Sequence, residues 1–331
     1  MDFVVSFPEH RPRRLRRTAA LRRLVAENRL SVDDLVAPLF VREGISEPQV
    51  IPSMPGVVQH TRASICEEVS ILRDIGIPAV ILFGIPEKKN EVGSEAWNPD
   101  GIIQVVLKDL RDQISDDVVL IADLCIDEYT NHGHCGVVAN DGFVDNDATL
   151  ELYGKIALAQ ARAGADVCAP SGMMDGQVAS IRRALDKEDH QQTAILAYAA
   201  KYSSALYSPF RDAVDVTIAG GGDRRSYQQD PPNIREALKE IRTDIAEGAD
   251  MVMVKPAITY LDVLARARME IDVPLAAYHV SGEYSMITAA ASNGWLDRNA
   301  VAIEQLLAIK RAGADVILTY FARLVAENLN G

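Results

Sequence analysis

Eight apolar, β-rich runs recur along this chain, at 37–41, 79–84, 118–125, 167–171, 194–199, 251–255, 274–280 and 315–320, each followed by a helix-like stretch. The runs are continuous rather than alternating, which marks strands covered on both faces and hence a parallel sheet. Three of them share one lead-in: Gly164-Ala-Asp166, Gly248-Ala-Asp250 and Gly313-Ala-Asp315. In each, glycine ends a helix and the chain turns into a buried strand. Eight such units predict an α/β fold, a (β/α)8 TIM barrel, with a doubly wound sheet as the alternative. With 331 residues, 48% of them hydrophobic, the chain can bury one large core, and no linker divides 31–331.

The segment 1–30 has a different character. Arg11, Arg13, Arg14, Arg16, Arg17, Arg22 and Arg23 make it strongly basic, and it lacks the apolar stretch of a secretory signal. It is expected to be an extended N-terminal docking arm, with a transit peptide as the alternative. The whole chain is acidic, with a formal charge of -13, which argues against nucleic acid as the main partner. No apolar stretch is long enough to span a membrane. Cys66, Cys125, Cys135 and Cys168 are too few for a disulfide scaffold and suit a reducing cytoplasm.

In a barrel, the carboxyl ends of the strands converge on one mouth. There the chain places Asp123 and Cys125, then Ser171, Lys201, Lys255, Ser281 and Tyr320. Lys255 closes an apolar run and is followed by proline; it is either a desolvated nucleophile or a cation that snorkels or holds an anion. Two ammonium groups in an apolar mouth depress each other's pKa. A depression of about three units corresponds to about 4 kcal/mol and leaves an amine free to form a Schiff base. Cys125, Asp127 and Cys135 could converge on one metal ion, or could be buried thiols without one; they are not a closed structural zinc set. The polar connection at about 203–232, with Gly220-Gly-Gly222 and Pro231-Pro232, reads as an unstructured lid over the mouth. Its Arg211, Arg224 and Arg225 are either solvated or meet an anionic substrate.

Seven pieces then resemble one family in order along the chain: Arg11-Pro-Arg-Arg-Leu-Arg, Ser53-Met-Pro-Gly-Val, Asp123 through Gly136, Lys201-Tyr-Ser-Ser with Pro209-Phe-Arg, Gly222-Asp-Arg-Arg-Ser-Tyr-Gln228, Met253-Val-Lys-Pro and Val280-Ser-Gly-Glu-Tyr. Together they resemble porphobilinogen synthase, also called 5-aminolevulinate dehydratase. The resemblance implies a lyase that condenses two 5-aminolevulinates into porphobilinogen, with loss of two waters, in haem biosynthesis. It implies Schiff bases at Lys255 and Lys201, Arg211 and Arg224 on the second substrate, and Gln228 as a further substrate-binding residue. It further implies Ser281 and Tyr320 on the first substrate's carboxylate. Asp123 is the candidate for proton management.

The same resemblance implies a metal but no organic cofactor. Where the zinc-dependent branch has three cysteines, Asp127 replaces the middle one; a carboxylate hardens the site and weakens Zn2+ relative to Mg2+. Ser208 stands where many members have glycine. Glu240 is expected to hold an allosteric Mg2+ between subunits, with Asp175 nearby. A homo-octamer of arm-exchanging dimers in the cytoplasm follows. The rivals are an aldolase-type barrel with one Schiff base and a non-catalytic binding barrel.

Overall fold

The apolar runs are strands, and they close on themselves. In the computed structural model, which describes residues 7–219 and 222–330, the barrel strands are β1 (Leu35–Arg42), β2 (Ala79–Ile85), β3 (Val119–Leu124) and β4 (Val167–Pro170). They continue with β5 (Ala194–Lys201), β6 (Met251–Lys255), β7 (Leu275–His279) and β8 (Val316–Thr319). Each pairs in parallel with the next, and β8 returns to β1 through Leu35 opposite Ile317 and Val36 opposite Leu318. That last pairing decides for the (β/α)8 barrel, because a doubly wound sheet has two open edges. Helices surround the strands, several started by a side-chain cap: Thr61 accepts from Ser64 N–H, Asp145 from Ala148 and Asp297 from Ala300.

The repeated lead-ins have one structural cause. Gly164, Gly248 and Gly313 take left-handed φ values of 102°, 108° and 112°, which end the preceding helices at little steric cost. The aspartate two residues later then ties its strand to the preceding one. Asp166 Oδ2 accepts the N–H of Leu120 at 2.8 Å, Asp250 Oδ2 that of Ile195 at 2.7 Å, and Asp315 Oδ2 that of Leu275 at 2.9 Å. The same aspartates donate their own N–H groups to the carbonyls of Leu120, Ile195 and Leu275. Arg111 and Arg268 hold Asp166 and Asp315 at 2.7 Å each. So β3 is tied to β4, β5 to β6 and β7 to β8, all at the end of the barrel opposite the mouth.

The lid region differs from the unstructured loop expected. It contains a 3-10 turn at Ala205–Tyr207 and a helix at Ser208–Ala213. Ser204 caps the turn by accepting Leu206 N–H, and Pro209, with its fixed φ, suits a first helical turn. Gly220 and Gly221 lie outside the described residues. In the arm, a 3-10 turn at Pro12–Arg16 and a helix at Ala19–Leu24 bury no residue.

Because Leu275 is buried, removing the acceptor at Asp315 strands its N–H and frees Arg268. Asp315→Ala should cost about 1–3 kcal/mol in chemical denaturation, and Asp315→Asn clearly less, since an amide oxygen still accepts. Equal losses for the two variants would show that the hydrogen bond is not what matters.

Candidate active site

Adjacent strands bring the two lysines together. Lys201 ends β5, Lys255 ends β6, and their Cα atoms are register partners. Both side chains are almost entirely enclosed, each residue 5% exposed. Lys201 Nζ donates to the Ser171 carbonyl at 2.5 Å. Lys255 Nζ lies in a box of rings, with centroids at 4.4 Å (Tyr278), 5.0 Å (Tyr198), 5.1 Å (Phe210) and 5.3 Å (Tyr207). Burial, and then the Lys201 charge, pull the Lys255 pKa down from 10.5 to about 7. The ring faces favour the ammonium and Asp123 attracts it, so Lys255 titrates near neutrality.

A bulge makes this box possible. Register in β5 slips against β6 between Val252 and Val254, so two residues, Tyr198 and Ala199, oppose Met253 alone. Without it Tyr198 and Lys201, three residues apart, would face opposite sides of the sheet. With it the Tyr198 ring lies 5.6 Å from Lys201 Nζ as well.

On the other wall, the Ser171 hydroxyl donates to Asp123 Oδ2 at 3.1 Å. Burial pushes the Asp123 carboxyl up to about 6, against the pull of the two lysines. Burial also acts on Asp127, but the Arg224 guanidinium, 2.8 Å away, prevails and holds that carboxyl well below the usual range. Glu128 goes the other way, pushed far up by burial and by the charges of Asp127 and Asp123. The cavity, closed down to about 20 Å³, is lined by Asp123, Asp127, Lys201, Arg211, Arg224 and Lys255 among others. Among the described residues, Arg211 Nε and Arg224 Nε are buried donors without a partner. Unmet guanidinium donors beside two lysines make a receptor for carboxylates.

Cys125, Asp127 and Cys135 are all buried and present ligand atoms within 4.8 Å of one another. Two sulfurs and one oxygen at that spacing fit a borderline-soft cation. Asp127 is shared, however, because one of its oxygens is on Arg224.

Besides Cys125 and Cys135, four of the expected site residues do not line this cavity. The Ser281 hydroxyl points to the Leu206 carbonyl at 3.4 Å, and the Tyr320 hydroxyl lies 3.0 Å from that of Tyr278. Tyr320 also lines a groove between β1 and β8. Gln228 is buried and lines a second groove of about 390 Å³, together with Glu240, Asp175 and Glu236. There burial and the facing Asp175 raise the Glu240 carboxyl, while burial, Glu247 and Glu240 push Asp244 to about 8.

A family model described as Delta-aminolevulinic acid dehydratase matches residues 9–328. The chain belongs to the delta-aminolevulinic acid dehydratase family. It is 55% identical over 326 residues to the delta-aminolevulinic acid dehydratase of Streptomyces coelicolor, covering 98% of both chains. To that of Mycobacterium leprae it is 54% identical over 325 residues, again with 98% of each covered. The crystal structure of the dehydratase from Toxoplasma gondii ME49, in complex with the reaction product porphobilinogen, superposes with a TM-score of 0.94. Identity there is 44%, over 96% of this chain and 91% of the other. The chain is thus a lyase, a dehydratase of the porphobilinogen synthase type.

Tyr198, Tyr207 and Glu128 of this dehydratase site have no role assigned from sequence, and Ser171, Phe210 and Tyr278 are placed near the mouth without their part as carbonyl anchor and ring box. Ser171 and Tyr278 carried a signal, since both lie at the mouth ends of apolar runs. Tyr198 carried none, because the bulge that turns it inward has no sequence signature.

Sharing Asp127 between Arg224 and a metal has a measurable consequence. Asp127→Cys should tighten Zn2+ by about tenfold or more, by adding a third soft ligand. It should also lower the melting temperature of metal-stripped protein, because Arg224 loses its buried counter-ion. Zinc competition against a chelator and calorimetry read the two effects; unchanged competition would remove Asp127 from the ligand set.

Proposed function

We propose that the chain joins two molecules of 5-aminolevulinate into porphobilinogen through imines on both lysines. The observation that carries this reading is the Lys201 and Lys255 pair, register partners on neighbouring strands with the Lys255 amine free near pH 7. Each neutral amine attacks the ketone carbon of one substrate and expels its oxygen as water, which accounts for both waters lost. The carbon next to the ketone carbon in the Lys201-bound molecule, on its carboxylate side, then adds to the Lys255 imine carbon. That forms the carbon-carbon bond, and Lys255 leaves as amine. The nucleophilic carbon gives up one proton to become an enamine and its second as Lys255 is eliminated. The amino group of the first molecule then displaces Lys201 from the second, which forms the carbon-nitrogen bond and closes the ring. Loss of one proton from the first molecule's aminomethyl carbon completes the pyrrole. No oxidant is needed.

Asp123, hydrogen-bonded to Ser171 and with a carboxyl raised to about 6, is suited to accept and return protons during these steps. Arg211 and Arg224 hold the second substrate's carboxylate, Ser281 and Tyr320 the first's, and Gln228 is a further substrate-binding residue. In the present arrangement Ser281, Tyr320 and Gln228 lie outside the lysine cavity. Movement of the lid helix at Ser208–Ala213, which supplies Arg211 and Phe210, is what would open the cavity toward them. A cation held by Cys125, Asp127 and Cys135 would act as a Lewis acid beside the second substrate. The identity of that cation, Zn2+ or Mg2+, follows from the zinc competition above.

Assembly belongs to the same reading. The two helical turns of the arm bury no residue, which suits an element that wraps a neighbouring subunit in an octamer of arm-exchanging dimers. Glu240, facing Asp175, would hold the allosteric Mg2+. The four free cysteines fit a cytoplasmic enzyme.

Hydride reduction in the presence of 5-aminolevulinate should leave substrate on Lys255, located by peptide mapping. Because the folded-state pKa of Lys255 is lowered to about 7, the neutral amine predominates above that pH and is lost below it. Trapping should therefore level off above pH 7 and slow about tenfold per unit below pH 6. A pH-independent trap, or one confined to other lysines, would remove Lys255 from the role.

Magnesium should raise octamer content and activity together, since an ion that binds one assembly state stabilises that state. Glu240→Ala should blunt both responses while leaving the hydride trap intact, because Glu240 lines a groove separate from the lysine cavity. Sedimentation and activity across a Mg2+ titration provide the check. Identical curves for parent and variant would make Glu240 an ordinary surface carboxylate.

A further inference from the structure

The helix Asn146–Arg162 follows β3 and holds none of the residues assigned above, yet one of its faces grips the back of the active site at three points. Thr149 Oγ1 accepts the N–H of Val137 at 3.0 Å, and Gln160 Nε2 donates to the Asp123 carbonyl at 2.7 Å. Between them Tyr153, fully buried, donates its hydroxyl to the Cys135 carbonyl at 2.7 Å. The same oxygen lies 3.8 Å from Cys125 Sγ. Positions 149, 153 and 160 fall on one side of a helix. Cys125 ends the β3 wall and Cys135 lies on the loop beyond it, so Tyr153 bridges the two thiol-bearing segments.

The hydroxyl also fills a space that a neighbouring residue leaves open. A Cβ built on Gly172 would lie 1.7 Å from Tyr153 Oη and 2.7 Å from its Cζ, so the phenol occupies the place of a side chain at 172. Gly172 directly follows Ser171, whose carbonyl accepts Lys201 Nζ and whose hydroxyl donates to Asp123. One rigid ring therefore touches the thiol pair on one side and the Lys201 anchor on the other.

We infer that Tyr153 is a positioning residue that fixes the spacing between the Cys125 and Cys135 pair and the Ser171 carbonyl that aims Lys201. It reaches neither the lysines nor the cavity and acts only through Cys135, Cys125 and Gly172. The inference rests on the reading of Lys201 as an imine-forming lysine, but its grip on the thiols can be measured without turnover.

The test compares the full chain with Tyr153→Phe, which keeps the ring and removes the hydroxyl. In chelator-stripped protein, alkylation of each cysteine by iodoacetamide is followed by mass spectrometry. Cys168 is the internal control, because its Sγ packs on the same helix at the Ala157 carbonyl, 3.8 Å away, without touching the phenol. Cys125 and Cys135 should react about tenfold faster and Cys168 at its original rate, while kcat falls about tenfold and KM for 5-aminolevulinate stays within about twofold. Gly172→Ala, which pushes the ring from the other side, should give the same pattern. Equal acceleration at all three cysteines would mean general loosening and would overturn the inference, as would unchanged reactivity at Cys125 and Cys135. Faster thiols with unaltered kcat would refute the link to Lys201. If the parent chain makes no porphobilinogen, the proposed function fails, and the link to Lys201 fails with it; selective thiol acceleration would then still establish Tyr153's hold on the two cysteines.

Discussion

Two ammonium groups cannot both remain fully charged in a space closed to water, and the mouth of this barrel is organised around that constraint. β5 and β6 put Lys201 and Lys255 in register, so whatever stabilises one cation disfavours the other. The surroundings treat them differently. Lys201 has a carbonyl acceptor, whereas Lys255 has four ring faces, which attract a cation less strongly than a fixed oxygen does. The asymmetry gives each lysine its own environment before any substrate arrives, which an asymmetric joining of two identical molecules requires.

The acidic side of the cavity balances this. Asp123 faces both lysines and keeps a raised pKa, while Asp127 remains ionised because Arg224 lies against it. With an aspartate at 127, the cavity wall holds a fixed, buried ion pair. Arg224 is thereby held at the cavity wall by Asp127 and the Gly133 carbonyl, with Nε still free of a partner among the described residues. The ion pair and the thiol pair thus occupy one small volume, and any cation placed there has to coexist with a guanidinium.

Much of the fold was legible because its signals are local. Continuous apolar runs gave the eight strands to within about three residues at each end, and the Gly-Ala-Asp lead-ins marked where three of them begin. The neighbourhood of Lys201 and Lys255 also followed from strand order alone. What the sequence hid depends on long-range geometry. The bulge opposite Met253 turns Tyr198 inward, and no residue type announces it. The pairing of Asp127 with Arg224 joins segments distant in the chain, as does the contact of Tyr153 with Gly172. Gln228 followed Arg224 in one motif, yet it lines the groove of Glu240 rather than the lysine cavity, because the chain turns between them. The helix at Ser208–Ala213 was masked by a polar, proline-containing sequence.

The lead-in aspartates divide the barrel into two-strand pieces, β3 with β4, β5 with β6 and β7 with β8. The boundaries between pieces, β4 to β5 and β6 to β7, lack such carboxylate ties among the described residues and rely on backbone pairing. Fragment exchange between relatives, or a circular permutation, made at those boundaries would leave every tie intact. The piece from β5 to β6 carries both lysines, the described lid residues and the Tyr198 bulge. The reactive half of the mouth could therefore be inherited or transplanted as one cassette, with its own fastening at the far end of the barrel.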